Sequence, residues 1–124
     1  MISHASVVDR TLVCSGHTVT VGYVEAMATT GPRQRKGYGS LVMNRIGELI
    51  RERYALGALS TSRHSFYERL GWERWRGPTF VDGPAGREHT PGDDGDIMIL
   101  RTVRSPRLDL DGAIVCDWRA GDVW

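Results

Sequence analysis

The fold turns on residues 18–54: TVTVGYVEAMAT (18–29), then a loop that ends in Gln34-Arg35-Lys36-Gly37-Tyr38-Gly39-Ser40, then LVMNRIGELIRERY (41–54). The first piece reads as a strand. The last reads as a helix, with Val42, Ile46, Leu49, Ile50 and Arg53 sharing one face at helical spacing. A strand that feeds a basic, glycine-containing loop at a helix start is suited to holding phosphate. Glycine lets the backbone approach closely, the first helical N–H groups point outward, and the helix dipole adds positive potential. Arg35 and Lys36 add full charges, while Tyr38 offers only its backbone. The spacing Q-x-x-G-x-G matches neither G-x-G-x-x-G nor G-x-x-x-x-G-K-[ST]. The bland alternative is a polar turn with glycines at the start of a helix.

The chain of 124 residues suits a single domain, 1–124, around one core. Its 40% hydrophobic and 25% charged residues are ordinary for a soluble globular protein. No apolar run approaches the ~20 residues that a membrane helix needs. The opening MISHASVVDR lacks the form of a secretory signal, so a cytoplasmic location is expected. Cys14 and Cys116 are read as reduced thiols, and the four histidines show no metal-ligand spacing. A net charge of +1 argues against a nucleic-acid footprint. The charges are nevertheless segregated. Arg33, Arg35 and Lys36 gather at the loop, Asp93, Asp94 and Asp96 gather late, and Asp117, Asp122 and the Trp124 carboxylate close the chain. An anionic ligand at one place and a cationic one at another would explain this. Solvated surface charge is the other explanation, and it is preferred for Asp96.

Along the chain, residues 2–8 read as a strand and 11–14 as the start of another, turning at Ser15-Gly16 into 18–23. Gly22 inside that arm marks a bulge or a close backbone approach. Residues 56–61 read as a buried strand. Ser62 is placed as the cap of a short helix over 63–70 that Gly71 stops, and 72–76 follow as a strand. Residues 77–95, rich in glycine and proline, read as a long loop. Strands over 96–103 and 113–118 end the chain. The order is a mixed α/β pattern: a mostly antiparallel sheet with flanking helices.

The Q-x-x-G-x-G loop between strand and helix resembles the pyrophosphate loop of the GCN5-related N-acetyltransferases, which grip acetyl-coenzyme A. Gly22-Tyr23-Val24-Glu25, Leu56-Gly57-Ala58-Leu59-Ser60 and the closing Cys116-Asp117-Trp118-Arg119-Ala120-Gly121-Asp122-Val123-Trp124 narrow the resemblance. Together they are similar to the aminoglycoside 2'-N-acetyltransferases of mycobacteria and related actinobacteria. The resemblance runs along essentially the whole chain. It implies the acetyltransferase fold without its first strand, two helices and a further strand, so an N-terminal portion is expected to be absent. That would leave an open edge strand and a protein of marginal stability.

The resemblance implies acetyl transfer from acetyl-coenzyme A to an aminoglycoside amine, by direct attack in a ternary complex. Glu25 is the candidate general base, acting through water; partial burial would bring it into a useful range. Its alternative is an outward-facing strand glutamate. Tyr67 is the candidate general acid, facing the coenzyme sulfur, and is otherwise a core tyrosine. Met27 and Thr29 are expected to bind the coenzyme through backbone N–H groups, and Arg35, Lys36, Gly37, Gly39 and Ser40 to hold its pyrophosphate. Ser60, Asp93, Asp122 and the carboxylate of Trp124 are the substrate-binding candidates, with Trp118 and Trp124 anchoring the tail. No metal, membrane or nucleic-acid partner is expected; a homodimer is. The rival readings are an acetyl-coenzyme A-binding remnant and a transferase for another small cationic amine.

Overall fold

A computed structural model of the protein describes residues 2–28 and 38–124. Eight strands form one sheet in the order β4-β7-β3-β2-β1-β8-β5-β6. In chain order they are β1 (Ile2–Cys14), β2 (His17–Ala28), β3 (Leu56–Ser60), β4 (Glu73–Arg74), β5 (Thr79–Gly83), β6 (Gly86–His89), β7 (Ile97–Arg101) and β8 (Ile114–Asp117). Helix α1 (Tyr38–Arg53) follows β2 and helix α2 (His64–Glu68) follows β3. Five of the neighbouring pairs are antiparallel; β2 with β3 and β5 with β8 are parallel.

Alternation along the strands divides the apolar side chains between two cores. The first core takes Leu12, Val19, Val21, Tyr23, Ala58, Trp75 and Ile99, and Trp124 closes it from the tail. The second takes Val24, Leu59, Met98 and Leu100 beneath Met43 and Ile50 of α1 and Tyr67 of α2. Helix α1 lies on the sheet through Met43, Gly47 and Ile50, flanked by the half-buried Val42, Ile46 and Leu49. Arg53, expected on that face, is exposed. With Arg51 it sits in the last turn, where cations suit the helix dipole.

The close approach expected at Gly22 is present. Gly22 and Gly57 are register partners, and both lie under the end of α1. A Cβ on Gly22 would stand 2.8 Å from Tyr54 Cδ2; one on Gly57 would stand 3.0 Å from Ile50 Cδ1. Paired glycines therefore let the helix rest almost on the backbone.

Four local expectations need correction. Residues 2–14 form a single strand, because β2 pairs with it continuously from Cys14↔His17 to Ala5↔Ala26. Ser62 does not cap α2: Arg63 holds that position without a side-chain cap, and its N–H donates to Thr61 Oγ1 at 2.9 Å. The strand expected over 72–76 is only Glu73–Arg74. Residues 77–95 are not a loop throughout, since β5 and β6 form a hairpin there, followed by a short 3-10 turn at Pro91–Asp93. The hairpin's two-residue connection, Pro84-Ala85, leads into Gly86 at φ +115°, a turn that the glycine and proline content signals but does not locate. Strand β6 is wholly exposed, so it carries no burial pattern to reveal it.

Strand β1 pairs with β8 only at Leu12, Val13 and Cys14. Among the described residues its earlier stretch therefore has one edge with no strand beside it. No helix among the described residues is long and apolar enough to cross a membrane.

Both cysteines are free and buried in the first core. Burial pushes the Cys14 thiol up from 9.0 to about 12. Burial likewise pushes Cys116 up to about 11, against an opposing pull from Arg10. Folding thus holds protons that the unfolded chain releases near pH 9. The resulting stability is complete below that pH and is lost as pH rises through the folded values. The urea midpoint is expected to fall between about pH 8 and about pH 10.5, and to fall less in a Cys14→Ala/Cys116→Ala variant. An identical fall in the variant would show that other groups cause it. Gly22→Ala is expected to cost about 1–3 kcal/mol in the same assay, because the Tyr54 ring blocks the new methyl group.

Candidate active site

Strands β2 and β3 run side by side for only two register positions, Gly22↔Gly57 and Tyr23↔Ala58. Beyond them β2 stays paired with β1 as far as Ala28, while β3 stays paired with β7 as far as Ser60. The two strands therefore part at Val24 and Leu59. The ladder edges they leave behind are hydrogen-bonding groups available to a ligand. Because the strands are parallel, the helices that follow them, α1 and α2, start from this same end.

Glu25 stands one residue past the parting. Strand alternation puts it on the face of Tyr23, that of the first core, away from the helices. It is half-buried, and its Oε1 accepts a hydrogen bond from Arg119 Nη1. Arg119 also donates from Nε to the Asp122 carbonyl at 2.7 Å, and its guanidinium lies 5.4 Å from the centre of the Tyr23 ring. Burial tends to lower the Arg119 pKa, but the bond and charge of Glu25 outweigh it and raise the value.

A second arginine secures the tail. Arg10 is buried, lies 4.9 Å from the Tyr23 ring centre, and reaches Asp117 Oδ1 at 2.9 Å, the Asp117 carbonyl at 2.6 Å and the Val123 carbonyl at 2.5 Å. Tyr23 between them is pushed well above its ordinary value by burial, partly offset by Arg10 and Arg119. Neither arginine was singled out in the sequence. The only signal was the position of Arg119 inside the closing segment, since a contact across 94 residues leaves no local pattern.

The predicted substrate residues converge on this face. Asp93 ends the 3-10 turn; burial raises its pKa, and the nearby carboxylates of Asp96, Asp122 and Asp94 raise it further. Trp124 is buried, with its indole N–H donating to Thr90 Oγ1 at 3.0 Å. Trp118, expected to share the anchoring, is instead 53% exposed. Ser60 is exposed at the end of β3 opposite Ile97, and the next residue donates from Thr61 N to the Asp96 carbonyl at 2.8 Å. Asp96 thus belongs to the same neighbourhood, although solvated charge was the preferred reading for it. Asp94 does structural work: it accepts from Thr79 N and Thr79 Oγ1, both at 2.8 Å, and contacts His89 Nε2 at 2.8 Å.

Tyr67 comes from the opposite side. It is buried in the second core, in the same cluster as Val24 and Leu59, with Phe66 and Trp72 edge-on to its ring. Burial raises its pKa, slightly countered by Arg63, so the phenol keeps its proton. Glu25 and Tyr67 are therefore not neighbours. They flank the parting of β2 and β3 from its two faces.

Of the coenzyme residues, Gly39 and Ser40 fall in the first turn of α1, and Met27 pairs with His4 near the end of β2. Thr29, Arg35, Lys36 and Gly37 lie outside the described residues. Two concavities lie elsewhere: one of about 590 Å³ beside Trp72–Arg76, another of about 610 Å³ beside Tyr54 and the β1–β2 turn. We give more weight to the parting of the strands, because titratable groups converge there and an unpaired backbone edge is present.

Comparison with known proteins agrees with this architecture. A family profile described as an acetyltransferase (GNAT) domain matches residues 1–75. An aminoglycoside 2'-N-acetyltransferase of Mycolicibacterium fortuitum is 40% identical over 128 aligned residues, covering 100% of this chain and 66% of that protein. The chain thus spans just under two thirds of this relative's length. A crystal structure of a GCN5-related N-acetyltransferase from Kribbella flavida matches with a TM-score of 0.52 and 25% identity, over 62% of this chain and 20% of that one. A strand–helix unit that parts from its parallel neighbour, matched by a profile over most of its length, makes this chain a member of the GNAT acetyltransferase family.

Proposed function

We propose that the chain carries out acetyl transfer from acetyl-coenzyme A to the 2'-amino group of an aminoglycoside, by direct attack within a ternary complex. One observation carries this reading: Glu25 stands at the mouth of the parted strands, on the face that also gathers Asp93, Asp96, Asp122 and the buried Trp124. The named substrate of the Mycolicibacterium relative supplies the acceptor class.

The parted edges of β2 and β3 fit an extended, amide-bearing arm. Gly39 and Ser40 in the first turn of α1 fit a diphosphate. Acetyl-coenzyme A would supply an activated acetyl thioester. The chain's own groups then have three tasks. The acidic face attracts a polycationic sugar and orients its amine. Glu25, through water, takes the proton that the amine loses as its nitrogen bonds to the carbonyl carbon. Tyr67 passes its phenolic proton to the sulfur as the carbon–sulfur bond breaks, so the coenzyme departs as its thiol, and the phenolate regains a proton from water. Neither cysteine suits an acyl-enzyme route, because both are buried with thiols held protonated.

The pH dependence follows from Asp93. Its raised pKa comes from burial and like charges, and a bound ammonium would favour the ionised form. Acceptor affinity is therefore complete above the free-enzyme value and is lost as pH falls through it. The carboxylates whose charge faces Asp93 are those of Asp96, Asp122 and Asp94.

Glu25→Gln and Tyr67→Phe are each expected to lower kcat by roughly 10²-fold or more, measured by release of coenzyme thiol; wild-type rates in both would end the assignment. Asp93→Asn should raise the acceptor KM several-fold, about what one charged contact is worth, and flatten its rise at acid pH. An unchanged KM profile would remove Asp93 from the site. Titration calorimetry with acetyl-coenzyme A, then with tobramycin, tests the whole reading. Binding of both supports it. Binding of the coenzyme alone supports a remnant that keeps the donor site without the acceptor site.

A further inference from the structure

Arg119 sits where the two halves of the proposed site meet. Glu25 belongs to β2, whereas Asp122 and Trp124 belong to the tail. Arg119 is the residue whose side chain touches both: Nη1 donates to Glu25 Oε1 and Nε donates to the Asp122 carbonyl at 2.7 Å. The flat of the guanidinium rests over Tyr23. Contacts on two edges and one face leave a planar group little freedom. The Glu25 contact uses one carboxylate oxygen; among the described residues the other, Oε2, has no hydrogen-bond partner. An arginine that engages one oxygen orients the carboxylate and leaves the second for a proton.

The rest of the tail is secured separately. Arg10 ties Asp117 and the Val123 carbonyl, and Trp124 buries its ring against Thr90. These contacts hold the tail to β1, β8 and the 3-10 turn, and none of them touches the Glu25 carboxylate itself. The distance of the tail from Glu25 matters, because Asp122 shares its field with Asp93 in the acidic face.

We propose that Arg119 is a positioning residue that locks the Glu25 carboxylate and the acceptor-binding tail at a fixed separation. This rests on the transferase reading above. A polycation held by the tail and its acidic neighbours then presents its amine to Glu25 in one register. Loss of the link lets the two halves drift, and misplacement by about 1 Å costs on the order of 10² in rate.

The test uses the intact chain. Arg119→Gln is expected to lower kcat/KM for an aminoglycoside by ~10², acting on both kcat and the acceptor KM, while leaving the KM for acetyl-coenzyme A unchanged. Calorimetric binding of acetyl-coenzyme A serves as the folding control. Arg119→Lys, which keeps the charge but can fill only one of the two contacts well, should recover part of the loss. Because Arg119 acts through Glu25, the double variant Glu25→Gln/Arg119→Gln should have the kcat of Glu25→Gln alone. A second readout does not depend on turnover. Carboxypeptidase should remove Trp124 about tenfold faster from Arg119→Gln and also from Glu25→Gln, since each breaks the same charged link. Wild-type kcat in Arg119→Gln, additive losses in the double variant, or wild-type trimming in Glu25→Gln would each overturn the proposal. A wild-type protein that transfers no acetyl group overturns the transferase reading, and with it this role. Wild-type transfer with Arg119→Gln unaffected overturns the role alone.

Discussion

Everything at this site depends on how briefly β2 and β3 stay together. Two parallel strands that paired along their full length would satisfy their own backbone groups and leave no opening. Here pairing lasts for Gly22–Tyr23 against Gly57–Ala58. Each strand then follows a different antiparallel partner, β1 on one side and β7 on the other. The paired glycines sit at this joint. They let α1 lie close above the sheet before the strands separate, so Ile50 and Tyr54 press on the joint from one face. The other face is fixed by Tyr23, held between the guanidinium groups of Arg10 and Arg119. An opening in a sheet is otherwise a weak point, since unpaired strand edges invite collapse or foreign pairing. Packing on both faces of the joint is what allows it to stay open.

Arg10 and Arg119 also show how a chain can bury charge usefully. A buried arginine costs desolvation energy unless its donors are filled. Arg10 donates to one carboxylate oxygen and two carbonyls, and its plane is covered by an aromatic ring. Arg119 is more exposed and makes fewer contacts, which suits a group close to where a ligand enters. The deeper arginine serves the fold, and the shallower one reaches the candidate site. Both depend on the last eight residues folding back, a segment whose composition alone would read as a frayed end.

The parts legible in the sequence were those with local physical signatures. The strand of 18–29 and the helix of 41–54 announced themselves through spacing and flanking residues, and both are present with shifted ends. Gly22 was legible as a close approach, because a glycine inside a strand has few other uses. The β5–β6 hairpin was not, because its glycines and prolines imitate a loop and β6 buries nothing. The link of Glu25 to Arg119 was invisible for a different reason. An ion pair between residues so far apart in sequence is created by topology, and neither residue type signals its partner. The nearness of Asp122 to Asp93 and Asp96 has no local signal either, because only the fold brings the tail beside the 3-10 turn.

The positions of Glu25 and Tyr67 on opposite faces look at first like an argument against a shared reaction. They are better understood through the parted strands. On the proposed function, an extended thioester lying between β2 and β3 would pass through the sheet layer rather than over it. Its carbonyl would then have one neighbour toward the first core and its sulfur another toward the second. A base and an acid approaching from opposite faces would not compete for one proton. Burial keeps Tyr67 protonated among Phe66 and Trp72, and the acidic face would hold a cationic acceptor on the side of Glu25. On that proposal the sheet itself would separate proton removal from proton donation, and the parting of β2 and β3 would let both reach the same bond.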